Sequence, residues 1–270
     1  MLLHSGYHSL PRKKMLWELK PDCHNALIAD SIRRDTAVAV IKALHFCDNA
    51  GMDGDGYYKV RPIINNINKA SSKWNANDSE DYAVDEIMVP YFGRHGTKQF
   101  IQGKPVRYGY KIWAICTSDG RVVWVEPYCG KDTRIEDQGA GQGPNVVLDL
   151  VAKAGLIEGS HVYFDNLFTS FPLLEQLSEL RIGGTGTVRQ NKLNKVPIKG
   201  KKELEKKAVP RGTADVLYQA DQVLVAWKDN KAVYMASNIH GADMEKTCRR
   251  YSRVEKREIQ VGLYYFPFCK

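Results

Sequence analysis

Two aspartates stand where apolar strands should run. Asp85 interrupts an extended, β-branched stretch that carries Val84, Ile87, Val89 and Tyr91. Asp165 ends another, His161-Val162-Tyr163-Phe164-Asp165-Asn166. A carboxylate in such a run is costly to bury without a proton, a partner or a metal. Two neighbouring strands that each present an Asp at the same level would place both carboxylates on one cation. Oxygen-only ligation of that kind suits Mg²⁺ or Mn²⁺. The chemistry that needs it is in-line attack on a phosphodiester, where metal ions activate the nucleophile and stabilise the leaving oxygen. The plainer alternative makes Asp165 a strand-end turn residue and Asp85 an edge residue paired with Lys or Arg.

The elements that must position these acids are read from periodicity. Residues 25–46 and 59–73 repeat with helical spacing, the second with Ile63, Ile64 and Ile67 inward. Residues 83–91 are extended. Residues 110–117 and 121–128 form a hairpin through Ser118-Asp119-Gly120, because Asp-Gly tolerates positive φ. A glycine-rich loop over 130–144 leads to a helix over 145–154 capped by Asn145. A buried strand over 160–164 precedes a helix over 171–180, capped by Ser170 with Pro172 in its first turn. Another strand covers 184–188. Segments 216–218, 223–227 and 232–237 read as a small β-rich unit, with Trp227 in its core rather than stacking on bases. Three hairpin-linked strands followed by helix-linked ones predict a mixed sheet with helices packed on it.

The chain has 270 residues, with 39 Lys and Arg against 31 Asp and Glu, net +8. At 43 % hydrophobic and 26 % charged it has globular composition, which excludes wholesale disorder and collagen-like repeats. No apolar run reaches the roughly 18 residues of a membrane helix, and residues 1–6 do not read as a signal peptide. The six cysteines lack metal-knuckle spacing and are expected to be reduced. The positive charge is local. Residues 192–211 hold eight basic and two acidic residues, net +6, and 246–257 hold six and one, net +5. Such concentration is the electrostatic footprint of a polyanion-binding protein.

Several motifs in order resemble the piggyBac transposase family. They are Val84-Asp85-Glu86-Ile87-Met88-Val89-Pro90-Tyr91-Phe92-Gly93-Arg94, Gly103-Lys104-Pro105-Val106-Arg107-Tyr108-Gly109-Tyr110-Lys111, Phe164-Asp165-Asn166-Leu167-Phe168-Thr169-Ser170 and Gly186-Thr187-Val188-Arg189. Upstream, Leu44-His45-Phe46-Cys47-Asp48-Asn49 and Tyr58-Lys59-Val60-Arg61-Pro62 are similar to the helical region before that family's core.

The resemblance implies a mixed α/β fold: a ribonuclease-H-like five-stranded mixed sheet flanked by helices, with a β-rich insertion and an N-terminal helical region. It implies a helical dimerisation or DNA-binding region over 1–80, a catalytic core over 81–192, a basic insertion over 193–261 and an off-pattern tail over 262–270. It makes Asp85 and Asp165 the first two of three metal-binding catalytic aspartates, with Mg²⁺ or Mn²⁺ as cofactor. The ancestral activity is metal-dependent DNA cleavage and strand transfer at transposon ends.

The family's third aspartate lies in a Gly-Gly-Val-Asp motif that this sequence does not contain. The expectation is therefore a chain without the last core helix, binding metal weakly and catalytically inactive. Glu86 alternates to the opposite strand face and is expected to be a poor substitute. Asp243, Glu255 and Glu258 are alternative third acids. An apolar sheet face, partly covered by Tyr264, Tyr265, Phe266 and Phe268, would then favour a homodimer or another protein partner.

Candidate phosphate contacts are Arg94, His95, Lys98, Lys104, Arg107, Lys111, Arg189, Lys192 and Lys195, with DNA as the expected partner, no membrane, and the nucleus (otherwise the cytoplasm) as location. The alternatives to an inactive DNA-binding core are a protein-interaction or DNA-tethering module and a residual nuclease.

Overall fold

The computed structural model describes residues 10–73, 80–242, 246–252 and 255–263. The chain divides into two compact units, residues 1–53 and 54–270. The first holds helix α1 (Ala26–Ser31) and helix α2 (Arg34–Ala43). The break between them splits the predicted helix over 25–46. Asn25 caps α1 by accepting from the Ile28 N–H at 3.1 Å.

The second unit begins with helix α3 (Arg61–Lys73), followed by β1 (Asp81–Pro90), β2 (Gln99–Phe100), β3 (Tyr108–Thr117) and β4 (Val122–Pro127). Then come α4 (Gln142–Ala154), β5 (His161–Phe164), α5 (Phe171–Glu179), β6 (Gly183–Thr187) and the short α6 (Lys201–Leu204). Strands β7 (Ala214–Gln219), β8 (Gln222–Lys228) and β9 (Ala232–Ser237) follow. The hairpin of β10 (Lys246–Ser252) and β11 (Arg257–Leu263) forms a separate two-stranded sheet.

Strands β4-β3-β1-β5-β6 make the expected five-stranded mixed core, antiparallel from β4 to β1 and parallel from β1 to β6. Strand β9 then pairs antiparallel with β6, and β8 and β7 follow. The β-rich segment therefore extends the core sheet instead of standing apart, giving nine strands among the described residues.

One sheet face presents Tyr82, Val84, Trp113, Ile115, Val162 and Phe164 to helices α4 and α5. The helices answer with Val146, Val147, Leu150, Leu173, Leu174 and Leu177, all at most 1 % exposed. Truncating any one of these leucines to Ala would cost about 2–5 kcal/mol. By strand alternation Ala114 looks the other way, joining Tyr57, Ile64 and Val125 in a smaller cluster. Trp227 is buried and donates from Nε1 to the Gly262 carbonyl at 3.1 Å, a core role as expected.

Helix α3 guards the sheet. Asn68 donates from Nδ2 to the Val125 carbonyl and accepts from the Val125 N–H, both at 2.9 Å. Its amide thus pairs with strand β4 as another strand would, which closes that stretch of edge. Ile67, expected inward, is 45 % exposed, because Asn68 takes the position against the strand.

The helix predicted over 145–154 starts earlier, at Gln142, and Asn145 does not cap it. Pro144 sits in the first turn, where its missing N–H costs nothing. Asn145 Oδ1 instead accepts from the Gln138 and Ala140 N–H groups, pinning the glycine-rich loop.

Candidate metal and nucleic-acid site

The parallel pairing of β1 and β5 sets Val84 opposite Phe164. One residue further along, Asp85 continues β1 and Asp165 follows the last residue of β5, which brings the two acids level. Val84 and Phe164 are buried while both acids are exposed.

The plainer reading of Asp165 holds locally and that of Asp85 only in part: a lysine does lie beside it, but β1 sits inside the sheet between β3 and β5, so Asp85 is not an edge residue. Asp165 is a turn residue, its Oδ1 accepting from the Leu167 N–H at 2.7 Å. Its carbonyl accepts from Thr169 Oγ1 at 2.8 Å. Two glycines make room for this turn. A Cβ on Gly143 would strike the Leu167 carbonyl, and one on Gly186 would strike Thr169 Oγ1 and the Phe164 ring.

Asp85 lies beside a lysine. Lys104 Nζ is 3.8 Å from Asp85 Oδ2 and 3.0 Å from Glu86 Oε1. Lys104 rides on the loop between β2 and β3, which turns at Gly103 (φ +90°) and closes through the Ile101 N–H to the Arg107 carbonyl at 2.9 Å. Burial and then the Glu86 charge push the Asp85 carboxyl above its ordinary value, against the pull of Lys104 and of the Glu86 N–H. The Asp85 side chain is 60 % exposed, so solvent screens these effects. Burial also acts to raise Glu86, but the hydrogen bond from Lys104 and the Lys104 and Lys111 charges outweigh it and hold the carboxyl low.

Lys111 lies 3.6 Å above the centre of the Trp113 ring. Its ammonium is held below its ordinary pKa by burial, which outweighs the attraction of Glu86, Asp165 and Asp85. Lys104 is raised, chiefly by its bond to Glu86 and further by Asp85 and Asp165. Both lysines therefore sit within electrostatic reach of both aspartates.

Two more predicted basic residues are tied to the second acid's turn. Arg189 Nε donates to Asn166 Oδ1 at 2.6 Å, and Lys192 Nζ to the Thr169 carbonyl at 2.5 Å. Lys98 lies on the loop after β1, donating to the Gly93 carbonyl at 2.9 Å, with His95 Nδ1 2.9 Å from Thr97 Oγ1. Arg94, Arg107 and Lys195 are exposed, and among the described residues no contact joins them to either acid.

Of the alternative third acids, Glu255 lies in the turn between β10 and β11, paired with Arg257 at 2.7 Å, and Glu258 lies on β11. Asp243 and the aromatic tail from Tyr264 lie outside the described residues. Among the described residues no group of three or more His, Cys, Asp or Glu side chains is gathered closely enough to hold a metal ion. The acid pair itself has the right donor chemistry for a hard cation, with carboxylate oxygens from β1 and from the end of β5. No described helix is long and apolar enough to cross a membrane.

Sequence reasoning missed Glu86 as part of this site. Alternation puts Glu86 on the other strand face and its side chain is only 9 % exposed, yet its carboxylate and that of Asp85 come within hydrogen-bonding reach of each other. Lys104 bridges the two carboxylates. The available signal was a second acid beside Asp85 with a lysine in the neighbouring motif.

A family model described as Transposase IS4 matches residues 1–266. The human PiggyBac transposable element-derived protein 3 is 40 % identical over 267 residues, covering 95 % of this chain and 44 % of that protein. The human PiggyBac transposable element-derived protein 2 is 38 % identical over 269 residues, 97 % of this chain and 44 % of that one. The chain thus spans less than half the length of these curated relatives. Among solved structures, a piggyBac transposase synaptic complex with hairpin DNA superposes with a TM-score of 0.70 at 25 % identity, covering 82 % of this chain and 47 % of that one. Core topology, the level aspartates and these matches agree: the chain belongs to the piggyBac-type transposase family.

Proposed function

We propose that this chain is a transposase-derived DNA-binding domain whose Asp85–Asp165 pair takes a divalent cation weakly and does not by itself cleave DNA efficiently. The observation that carries this reading is the level placement of Asp85 in β1 and Asp165 directly after β5, with Lys104 and Lys111 within reach of both. Mg²⁺ or Mn²⁺ bound there would polarise a phosphodiester and activate water. The chain's own part is to hold two carboxylates in register and to bring lysines to the same mouth, where a phosphate would settle. Two carboxylates leave a coordination shell that a third protein ligand would otherwise fill, so affinity and preorganisation are both low.

Support for DNA as the partner comes from Arg189 and Lys192 anchored at the Asp165 turn, from the net positive charge, and from the DNA-bound relative. Location in the nucleus follows from the same reading. Homodimerisation, with residues 1–80 serving it, is part of the proposal.

The test is fluorescence anisotropy of a labelled duplex titrated with the chain across a salt series. The proposal expects log K to fall steeply and linearly with log salt, by about 0.9 per phosphate neutralised. Binding that is indifferent to salt, or absent, would favour the protein-interaction module instead.

A further inference from the structure

We propose that Lys104 is the resident counter-cation of the acid pair, steered by Glu86 so that it gives up Asp85 when a divalent cation arrives. This rests on the reading that the Asp85–Asp165 pair takes such a cation.

Three observations carry it. The Lys104 ammonium is shared unequally, 3.0 Å from Glu86 Oε1 and 3.8 Å from Asp85 Oδ2. It therefore neutralises Asp85 while being anchored elsewhere. Glu86 is 9 % exposed, and its second oxygen, Oε2, is buried with no hydrogen-bond partner. A buried carboxylate oxygen without a donor is costly, so it is a ready landing place for the ammonium. Finally, Lys104 is 35 % exposed on a loop tip, so its side chain has solvent to swing through. Lys111, the other cation within reach, is seated over the Trp113 ring and is less free to move.

The consequence is a competition. With no metal, Lys104 screens Asp85. A cation entering between Asp85 and Asp165 repels the ammonium, which shifts fully onto Glu86. Glu86 is thus a positioning residue that acts through Lys104, and not a metal ligand.

The experiment is Mn²⁺ titration of the full chain, reading free Mn²⁺ by electron paramagnetic resonance. The samples are wild type, Lys104→Met, Glu86→Gln, the double variant and Asp85→Asn, each checked for folding by circular dichroism. Lys104→Met should bind Mn²⁺ about tenfold more tightly, the effect of removing one nearby like charge. Glu86→Gln should bind several-fold more weakly, because Lys104 then falls back on Asp85 alone. The double variant should bind as tightly as Lys104→Met, since no ammonium remains to be steered.

Unchanged or weaker Mn²⁺ binding in Lys104→Met overturns the proposal, and that partly exposed substitution decides the matter even if buried Glu86→Gln fails to fold. A double variant weaker than Lys104→Met by the full Glu86→Gln factor also overturns it, because Glu86 would then act by its own charge. If Asp85→Asn abolishes uptake while Lys104→Met changes nothing, the counter-cation inference falls and the acid-pair reading stands. If Asp85→Asn binds as wild type does, both fall.

Discussion

The Lys192 ammonium and the carbonyl of Thr169 are 2.5 Å apart, and Thr169 in turn donates from Oγ1 to the Asp165 carbonyl. A basic residue of the segment after β6 is thereby bolted to the turn that carries the second acid. Burial and the neighbouring Arg189 lower the Lys192 pKa, partly offset by Asp165.

Lys192→Met should weaken duplex binding similarly for all sequences and reduce the magnitude of the salt slope by about 1. Anisotropy at several salt concentrations checks this. An unchanged slope would remove Lys192 from the interface.

The stability of the edge strand rests on a buried ion network. Arg61 donates from Nε to Asp55 Oδ2 at 2.7 Å and from Nη1 to Glu126 Oε1 at 3.0 Å. The Asp55 and Glu126 side chains are 5 % and 6 % exposed. Arg61→Met would leave the buried Glu126 carboxylate without its guanidinium, while Asp55 keeps Arg134 at 3.0 Å and the Tyr57 N–H, an expected loss of about 3–5 kcal/mol. Urea denaturation measures it, and a loss below about 1 kcal/mol would show that water already compensates these acids.

Gly186 has no room for a side chain because Thr169 Oγ1 and the Phe164 ring fill its Cβ position. Gly186→Ala should therefore destabilise by about 1–3 kcal/mol through overpacking. It should also loosen the Asp165 turn, seen as faster hydrogen exchange at Phe168 and Thr169, whose N–H groups bond to the Asp165 carbonyl. Thermal melting and exchange together test both parts.

On the far side of β5, His240 Nε2 is 3.1 Å from the Tyr163 hydroxyl, and His161 Nδ1 is 3.3 Å from Asp81 Oδ1. Burial lowers the His240 pKa, and the His161 ring adds to the effect against Asp81. A depressed value means the unfolded chain binds the proton first. The stability this group contributes is complete above its ordinary value of 6.5 and is lost as pH falls from there through the lowered folded value. Wild type should therefore lose more melting temperature between about pH 7.5 and 5.5 than His240→Asn does. Equal losses would show that folding leaves the titration of His240 unshifted.

Much of the site was legible because an acid inside an apolar strand breaks a strict pattern. Asp85 and Asp165 announced themselves in this way, and parallel pairing then made them level. The five core strands followed from their β-branched runs. Strand β2 is two residues long and β10 carries polar residues at most positions, so no period marked them, whereas β11 does alternate Ile259, Val261 and Leu263 with polar or small residues and went unread. The extension of the sheet by β7 to β9 depends on Thr185 pairing with Ser237, a contact 52 residues apart that local spacing does not record. Glu86 illustrates the same limit. Its face was correct from alternation, but the loop that returns Lys104 to it belongs to tertiary structure. Gly141, not Asn145, opens α4 because Asn145 serves better in holding the preceding loop.

On this reading the acid pair holds metal and the basic residues around it hold DNA, without efficient cleavage. Nicking of supercoiled plasmid in Mn²⁺, by a folded preparation that binds the same plasmid, tests it most directly when wild type is compared with Asp85→Asn. No nicking above the Asp85→Asn background is expected. Nicking by wild type that disappears in Asp85→Asn would contradict it and show that this chain assembles a complete acid site.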